Sequence, residues 1–288
     1  MTPPAGSGGA SHLASVRAVI FDVDGVLLDA TGSYHAVAEE AARRAIAGLV
    51  GEPKAREVPF DRAGEVPAFK AAGHFNDDWE MARGIALLLY LRALGAAPSL
   101  QHFLESAQGG GVEGLYRGRT FSDDVHRALD AKAIARACGE LYGGDRCRDL
   151  FGFEGHGPGY WEREAPLADA TLLQQVRQRY PLALFTGRNP GEARLALELL
   201  GLEIPDELCW VADGRPRKPD PEGLIRLCQA LLRDDRGSAL FVGDTADDQA
   251  AAQAAQAAGA PLLYAHVAAP GDTTRVLTHL LDAAGDPQ

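Results

Sequence analysis

Short apolar runs mark the two ends of the chain: Val16 to Phe21 near the start, then Leu182 to Phe185, Leu208 to Val211, Ala239 to Val242 and Leu262 to Ala265. Dense runs of this length, bounded by polar residues, suit strands buried on both faces. Helical patterns lie between them. Leu224, Leu227, Cys228 and Leu231 fall at helical spacing after an opening near Pro221, and the Ala/Gln-rich stretch Asp247 to Ala258 is stopped by Gly259. That stretch reads as an ordinary helix rather than a low-complexity tract. Strands alternating with helices predict an α/β fold with a doubly wound parallel sheet.

The alternation fails between about residues 30 and 166, which is too long for a loop. No buried strand is evident there. Helical patterns occupy Tyr34 to Leu49, Asp78 to Leu94, Ser99 to Ala107 and Ser122 to Tyr142, while GGG at 109–111 and GHGPG at 155–159 read as flexible joints. The expected organisation is a disordered tail at 1–15, a core made of 16–29 and 167–283, a mostly helical domain at 30–166 spliced into it, and a short tail at 284–288.

Composition narrows the class. The 288 residues, 46% hydrophobic and 24% charged, are enough for one large domain or two modest ones. Cys138, Cys147, Cys209 and Cys228 form no C-x-x-C pair, which points to a reducing, cytoplasmic setting without structural zinc. No apolar run reaches the length of a membrane span, and MTPPAGSGGASHLAS lacks the basic start and apolar stretch of a signal peptide. A net charge of −12 disfavours a nucleic-acid surface, because a polyanion needs a basic footprint. Small anionic substrates stay compatible, since a site can be locally positive.

In open parallel sheets, ligands collect beyond the carboxyl ends of strands. Three polar clusters follow the buried runs there: Asp22-Val23-Asp24-Gly25-Val26, Thr186-Gly187-Arg188, and Gly243-Asp244-Thr245-Ala246-Asp247-Asp248. A fourth signal, Lys218 in RPRKPDPEG, precedes a helix. Singly, these are ordinary turn and strand-exit chemistry. In this order they resemble the four motifs of the haloacid dehalogenase-like (HAD) hydrolases, a superfamily dominated by phosphatases. The resemblance covers 16–29 and 167–283, and the insertion sits where that family carries a helical cap.

The resemblance implies a Rossmann-like core and a magnesium-dependent phosphatase that hydrolyses a small phosphorylated metabolite through an aspartyl-phosphate. Asp22 is then the nucleophile, and Asp24 the acid that protonates the leaving oxygen and later activates water. Asp22 and Asp244 supply carboxylates to Mg2+, and Asp24 its main-chain carbonyl. Asp248 accepts from metal-bound water or holds Lys218; Asp247 could exchange roles with it, but spacing favours Asp248. Thr186, Gly187 and Arg188 join Lys218 around the phosphoryl group. Gly25 lets the chain turn and approach the phosphate. The physics agrees, because carboxylates gathered at one edge repel and a hard divalent cation with oxygen ligands relieves them. The same crowding is expected to favour the protonated form of Asp24.

Within the insertion, Lys70 to Glu80 is the most unusual stretch. Asn76 or Asp77 can cap the helix that follows, with Phe75 and Trp79 packed inside. Alternatively Gly73 hinges a loop that brings Lys70, His74 and Asn76 to the leaving group. A second candidate hinge is residues 152–167, with glycines around His156 and Tyr160. Phosphonate-cleaving relatives carry a Schiff-base lysine at a position comparable to Lys70, but Asp77 and Asp78 would hold Lys70 as a cation. A phosphomutase uses the same aspartate pair and is the nearest rival. A catalytically idle binding module would lack a motif residue, and none is missing. Dehalogenase relatives lack the second aspartate, which is present here as Asp24.

Overall fold

The computed structural model describes residues 13–72, 75, 77–107, 110–117, 120–233 and 237–284. They divide into two compact units. One joins the segment up to Asp29 to the segment from Ala165 onward; the other is Ala30–Glu164. The strands are β1 (Val16–Phe21), β2 (Leu28–Asp29), β3 (Ala165–Pro166), β4 (Leu182–Phe185), β5 (Cys209–Trp210), β6 (Ser238–Gly243) and β7 (Leu262–His266). The second unit holds helices α1 (Tyr34–Val50), α2 (Glu52–Glu57), α3 (Arg62–Ala71), α4 (Asp78–Ala93), α5 (Leu100–Ser106), α6 (Gly111–Tyr116), α7 (Asp123–Ala128), α8 (Ala131–Gly143) and α9 (Cys147–Phe151). The first holds α10 (Ala170–Arg179), α11 (Pro190–Leu200), α12 (Glu222–Leu232), α13 (Ala246–Ala257) and α14 (Asp272–Ala283).

β1 is central in a parallel sheet of order β5-β4-β1-β6-β7. Successive side chains leave opposite faces of a strand, so a run apolar at every position must be covered twice. Val19, Phe21, Leu182, Leu184, Leu240 and Val242 pack with α10, α11 and α14 on one face. Ala18, Ile20, Ala183, Phe185, Ala239 and Phe241 pack with α12 and α13 on the other. Ala251, Ala252 and Ala255 supply the sheet side of α13, so its alanine-rich sequence forms an ordinary helix, ended before Gly259 at φ 88°.

Several boundaries differ from the sequence reading. β5 is only Cys209–Trp210, because Asp206–Leu208 turns as a 3₁₀ helix. The expected tail begins outside the described residues, but its end does not. Leu13 packs against the core, and the Ser15 carbonyl accepts from Ser238 N at 2.9 Å. At the other end, Ala284 packs on the core and its carbonyl accepts from Arg179; 285–288 are outside the described residues. The core resumes at Ala165, where β3 pairs antiparallel with β2 through Leu28↔Pro166 and Asp29↔Ala165. Leu167 N extends that ladder to Leu27 O at 2.9 Å.

In the second unit, α4 is buried from Met81 to Leu89 on nearly every side, as befits a central helix. Phe69 meets Phe75 and Phe103 edge-on, and a Cβ on Gly84 would sit 2.9 Å from the Phe69 ring. The run expected as one helix from Ser122 to Tyr142 is two, because Asp130 caps α8 by accepting from Ala133 N. α2, α3, α6 and α9 were not anticipated; α3 even passes through Pro67, whose missing N–H leaves only an exposed carbonyl unpaired with it.

The GHGPG segment is packed rather than a free joint. Asp145 N donates to Gly157 O and Gly157 N to Asp145 Oδ1, both at 2.8 Å. A Cβ on Gly155 would fall 2.7 Å from Cys147 Cβ, so this glycine serves close approach. Nearby, the buried Glu164 carboxylate accepts from Ser33 Oγ at 2.9 Å and Tyr142 OH at 3.0 Å, and Tyr142 stacks on Tyr34 at 4.6 Å. Ser33→Ala removes one donor from a buried carboxylate. It should destabilise the protein by about 1–3 kcal/mol in chemical denaturation.

Candidate active site

Register brings the strand exits level. Phe21 is opposite Leu184 of β4 and Val242 of β6, so Asp22, Thr186 and Asp244 leave the same sheet edge within a residue of one another. Asp22 is buried; its N–H donates to Val242 O at 3.0 Å, and its Oδ1 accepts from Val23 N at 2.7 Å. Thr186 is held by its N–H on Trp210 O. Its Oγ1 accepts from Arg188 N at 3.2 Å, which leaves its own hydrogen for another acceptor. Gly187 is exposed and has open space around its Cα.

Lys218 reaches this edge from the loop before α12. Its Nζ lies 2.9 Å from Asp22 Oδ1 and 2.6 Å from Asp248 Oδ1, over the rings of Phe185 at 5.1 Å and Phe241 at 5.8 Å. Asp248 is fully buried, and its Oδ2 accepts from Asp244 N, Thr245 N and Thr245 Oγ1. Of the two acids weighed for this place, Asp248 is the one on Lys218; Asp247 is half-buried on the first turn of α13. A Cβ at Gly243 would fall 2.6 Å from Asp248 Cβ, so that glycine admits the carboxylate.

Gly25 has φ 73°, and a Cβ there would lie 2.7 Å from Asp244 Cγ. The close approach that needs glycine is thus to the Asp244 carboxylate. Asp24 has a partner that spacing did not reveal. Arg188 Nε faces both of its carboxylate oxygens at 3.2 Å, and Nη2 donates to Oδ1 at 2.6 Å. To the crowding carboxylates expected around Asp24 the structure adds this buried cation.

Among the insertion candidates, Lys70 ends α3 with its Nζ 3.4 Å from Asp78 Oδ1. Asp77, not Asn76, is the N-cap of α4, accepting from Trp79 N and Glu80 N, and Phe75 is buried. Gly73, His74 and Asn76 lie outside the described residues.

Burial pushes the Asp22 carboxyl up to about 8 against the pull of Lys218, with Asp248, Asp24 and Asp244 adding to the rise. Burial also raises Asp244, to about 6, aided by Asp248. Burial alone would lower Lys218; Asp22 and Asp248 more than reverse this and leave its pKa raised.

Residues 159–256, which contain Thr186, Lys218, Asp244 and Asp248, match the family model of the haloacid dehalogenase-like hydrolases. Over that third of the chain the protein is similar to this family. Phosphatase Tt82 from Thermococcus thioreducens is similar in structure, with a TM-score of 0.69 and 23% identity, covering 92% of this chain and 98% of that one. At that identity the likeness is one of fold. Imidazoleglycerol-phosphate dehydratase of Phytophthora nicotianae is 25% identical over 237 residues, 81% of this chain. The chain spans only 40% of the length of that relative.

The acidic sheet edge suits a cation. One oxygen from each of Asp22, Asp244 and Asp248 lies within 4.8 Å of the others, and Asp244 Oδ1 is buried without a hydrogen-bond partner among the described residues. Buried carboxylate oxygen with an unused lone pair is a donor for a hard divalent ion.

With chelator present, stability from Asp22 and Asp244 has a defined sign. Their folded pKa values exceed the unfolded carboxylate value of 3.8, so the folded state keeps protons that the unfolded chain has released. That contribution is complete below the unfolded value and is lost as pH rises through about 6 and then about 8. Melting of the chelated protein should therefore show this loss between about pH 4 and 8, steepest below about 6, and Asp244→Asn should remove the Asp244 share of it below about pH 6. Added magnesium should raise the melting temperature most at the upper end, where the ligands are ionised.

Proposed function

We propose that the chain is a magnesium-dependent phosphatase acting on a small phosphorylated metabolite in the cytoplasm. The observation that carries this reading is the convergence at one sheet edge of Asp22, a lysine 2.9 Å from it, and the unpartnered oxygen of Asp244. A nucleophilic carboxylate, a fixed cation and a cation site are what transfer of a phosphoryl group to aspartate requires. The cytoplasmic setting is supported by the free, buried state of all four cysteines.

In the first step an Asp22 carboxylate oxygen bonds to phosphorus, while the bond from phosphorus to the leaving oxygen breaks with its electron pair and Asp24 gives that oxygen its proton. In the second, water bonds to the phosphorus of the aspartyl-phosphate, its proton passes to Asp24, and the Asp22 carboxylate departs with the electron pair. Lys218 offsets the charge of the equatorial oxygens, and the Thr186 hydroxyl and Gly187 amide donate to them. Held by Asp22, Asp244 and the Asp24 carbonyl, with Asp248 steadying the surroundings, magnesium would neutralise phosphoryl charge. The Asp78 carboxylate beside Lys70 supports a cationic role for that lysine and not a Schiff base.

The experiment is a magnesium-dependent assay with an aryl phosphate, followed by a panel of phosphorylated metabolites. Imidazoleglycerol phosphate belongs on the panel, because the Phytophthora relative is named for that ester. Asp22→Asn should lower turnover by more than about a thousandfold while circular dichroism stays unchanged. A folded Asp22→Asn protein that retains activity sinks the mechanism. Borohydride with phosphonoacetaldehyde should leave Lys70 unlabelled, and covalent trapping there would move the chemistry to carbon–phosphorus cleavage.

A further inference from the structure

The phosphatase reading assigns Arg188 to the substrate phosphate, as a cation at a strand exit. Its position argues for a different task. The side chain is 1% exposed and crosses from the exit of β4 to the loop after β1, where the Asp24 carboxylate, 38% exposed, meets it. Nε faces both Asp24 oxygens and Nη2 donates to Oδ1, so the planar fork lies along the carboxylate. The backbone of Arg188 is tied down as well: N donates to Thr186 Oγ1, and O accepts from Ala212 N at 2.8 Å. A buried guanidinium pinned at its root and spent on a carboxylate is poorly placed to follow a ligand.

We propose that Arg188 is a positioning residue that acts through Asp24, its buried fork holding that carboxylate in the orientation needed to meet the leaving oxygen and the attacking water. This rests on the phosphatase reading. An aspartate carboxylate has two soft torsions, and a proton-transfer group works only within a narrow geometry. Most of the Asp24 side chain's freedom would return if the fork were removed. The charge offered to phosphate would remain with Lys218, which sits on Asp22 and Asp248 and not on Asp24.

The assignment is tested by Arg188→Met, which removes the fork without leaving a buried charge, and by Arg188→Lys, which keeps charge but not shape. The readouts are kcat/KM on a nitrophenyl phosphate and on an alkyl phosphate, together with the inhibition constant of inorganic phosphate. An aryl leaving group departs without a proton, whereas an alkoxide does not. Arg188→Met should therefore lower kcat/KM on the alkyl ester roughly tenfold to hundredfold, within the usual range for a general acid, and on the aryl ester by less than about threefold. Inorganic phosphate should inhibit within about threefold of wild type, and Arg188→Lys should recover part of the loss. In an Asp24→Asn background, Arg188→Met should cost nothing further, as expected of groups that work as a unit. Equal losses on both esters with phosphate inhibition weakened about tenfold would make Arg188 a phosphate ligand and overturn the proposal, as would no loss on either. A wild-type protein inactive on every ester removes the phosphatase reading itself, an outcome distinct from either of these.

Discussion

The first unit depends on one buried ammonium. Lys218 sits between Asp22 and Asp248 over two phenylalanine rings, at a sheet edge where Asp244 and Asp24 also crowd. Isolated charges of this burial would neutralise themselves, so the acids remain usable only if cations are built in beside them. Lys218 serves Asp22 and Asp248, and Arg188 serves Asp24. Asp244 keeps a buried oxygen, Oδ1, that no described donor reaches, and burial raises its carboxyl. Countercharge is thus spread unevenly over the four acids.

Glycine shapes the same edge by subtraction. Side chains at Gly25 and Gly243 would collide with the Asp244 and Asp248 carboxylates respectively. Gly25 lets the β1 exit approach the acid that follows β6, and Gly243 lets Asp248 fold back onto the end of its own strand. Packing density and electrostatics are coupled here: room for a carboxylate is made in one strand exit and filled from the next.

The sheet and the order of its chemistry-bearing exits were legible in the sequence, because strands buried on both faces leave no other pattern and polar residues can follow them only at an edge. Asp22, Thr186 and Asp244 were readable on that basis, Lys218 and Asp248 by order and spacing. The pairing of Arg188 with Asp24 was not, since it links residues more than a hundred positions apart and depends on which way a long side chain crosses the edge. GHGPG misled for a related reason. Glycine for flexibility and glycine for close contact look alike until the neighbours, here Cys147 and Asp145, are known. The helices α2, α6 and α9 are too short to show an amphipathic period, and α3 carries Pro67 in its interior.

The β2–β3 ladder, small as it is, has a topological meaning. Leu28 and Pro166 are paired partners, as are Asp29 and Ala165, so the chain departs and returns one strand spacing apart. Closing a loop costs entropy according to how its ends are held, and a folded segment with adjacent ends acts on its host like a hairpin turn. Everything from Ala30 to Glu164 is therefore, to the parallel sheet, a detachable bead on a clasp. A change of length within that segment leaves the paired ends, and with them the registers of the sheet, where they are.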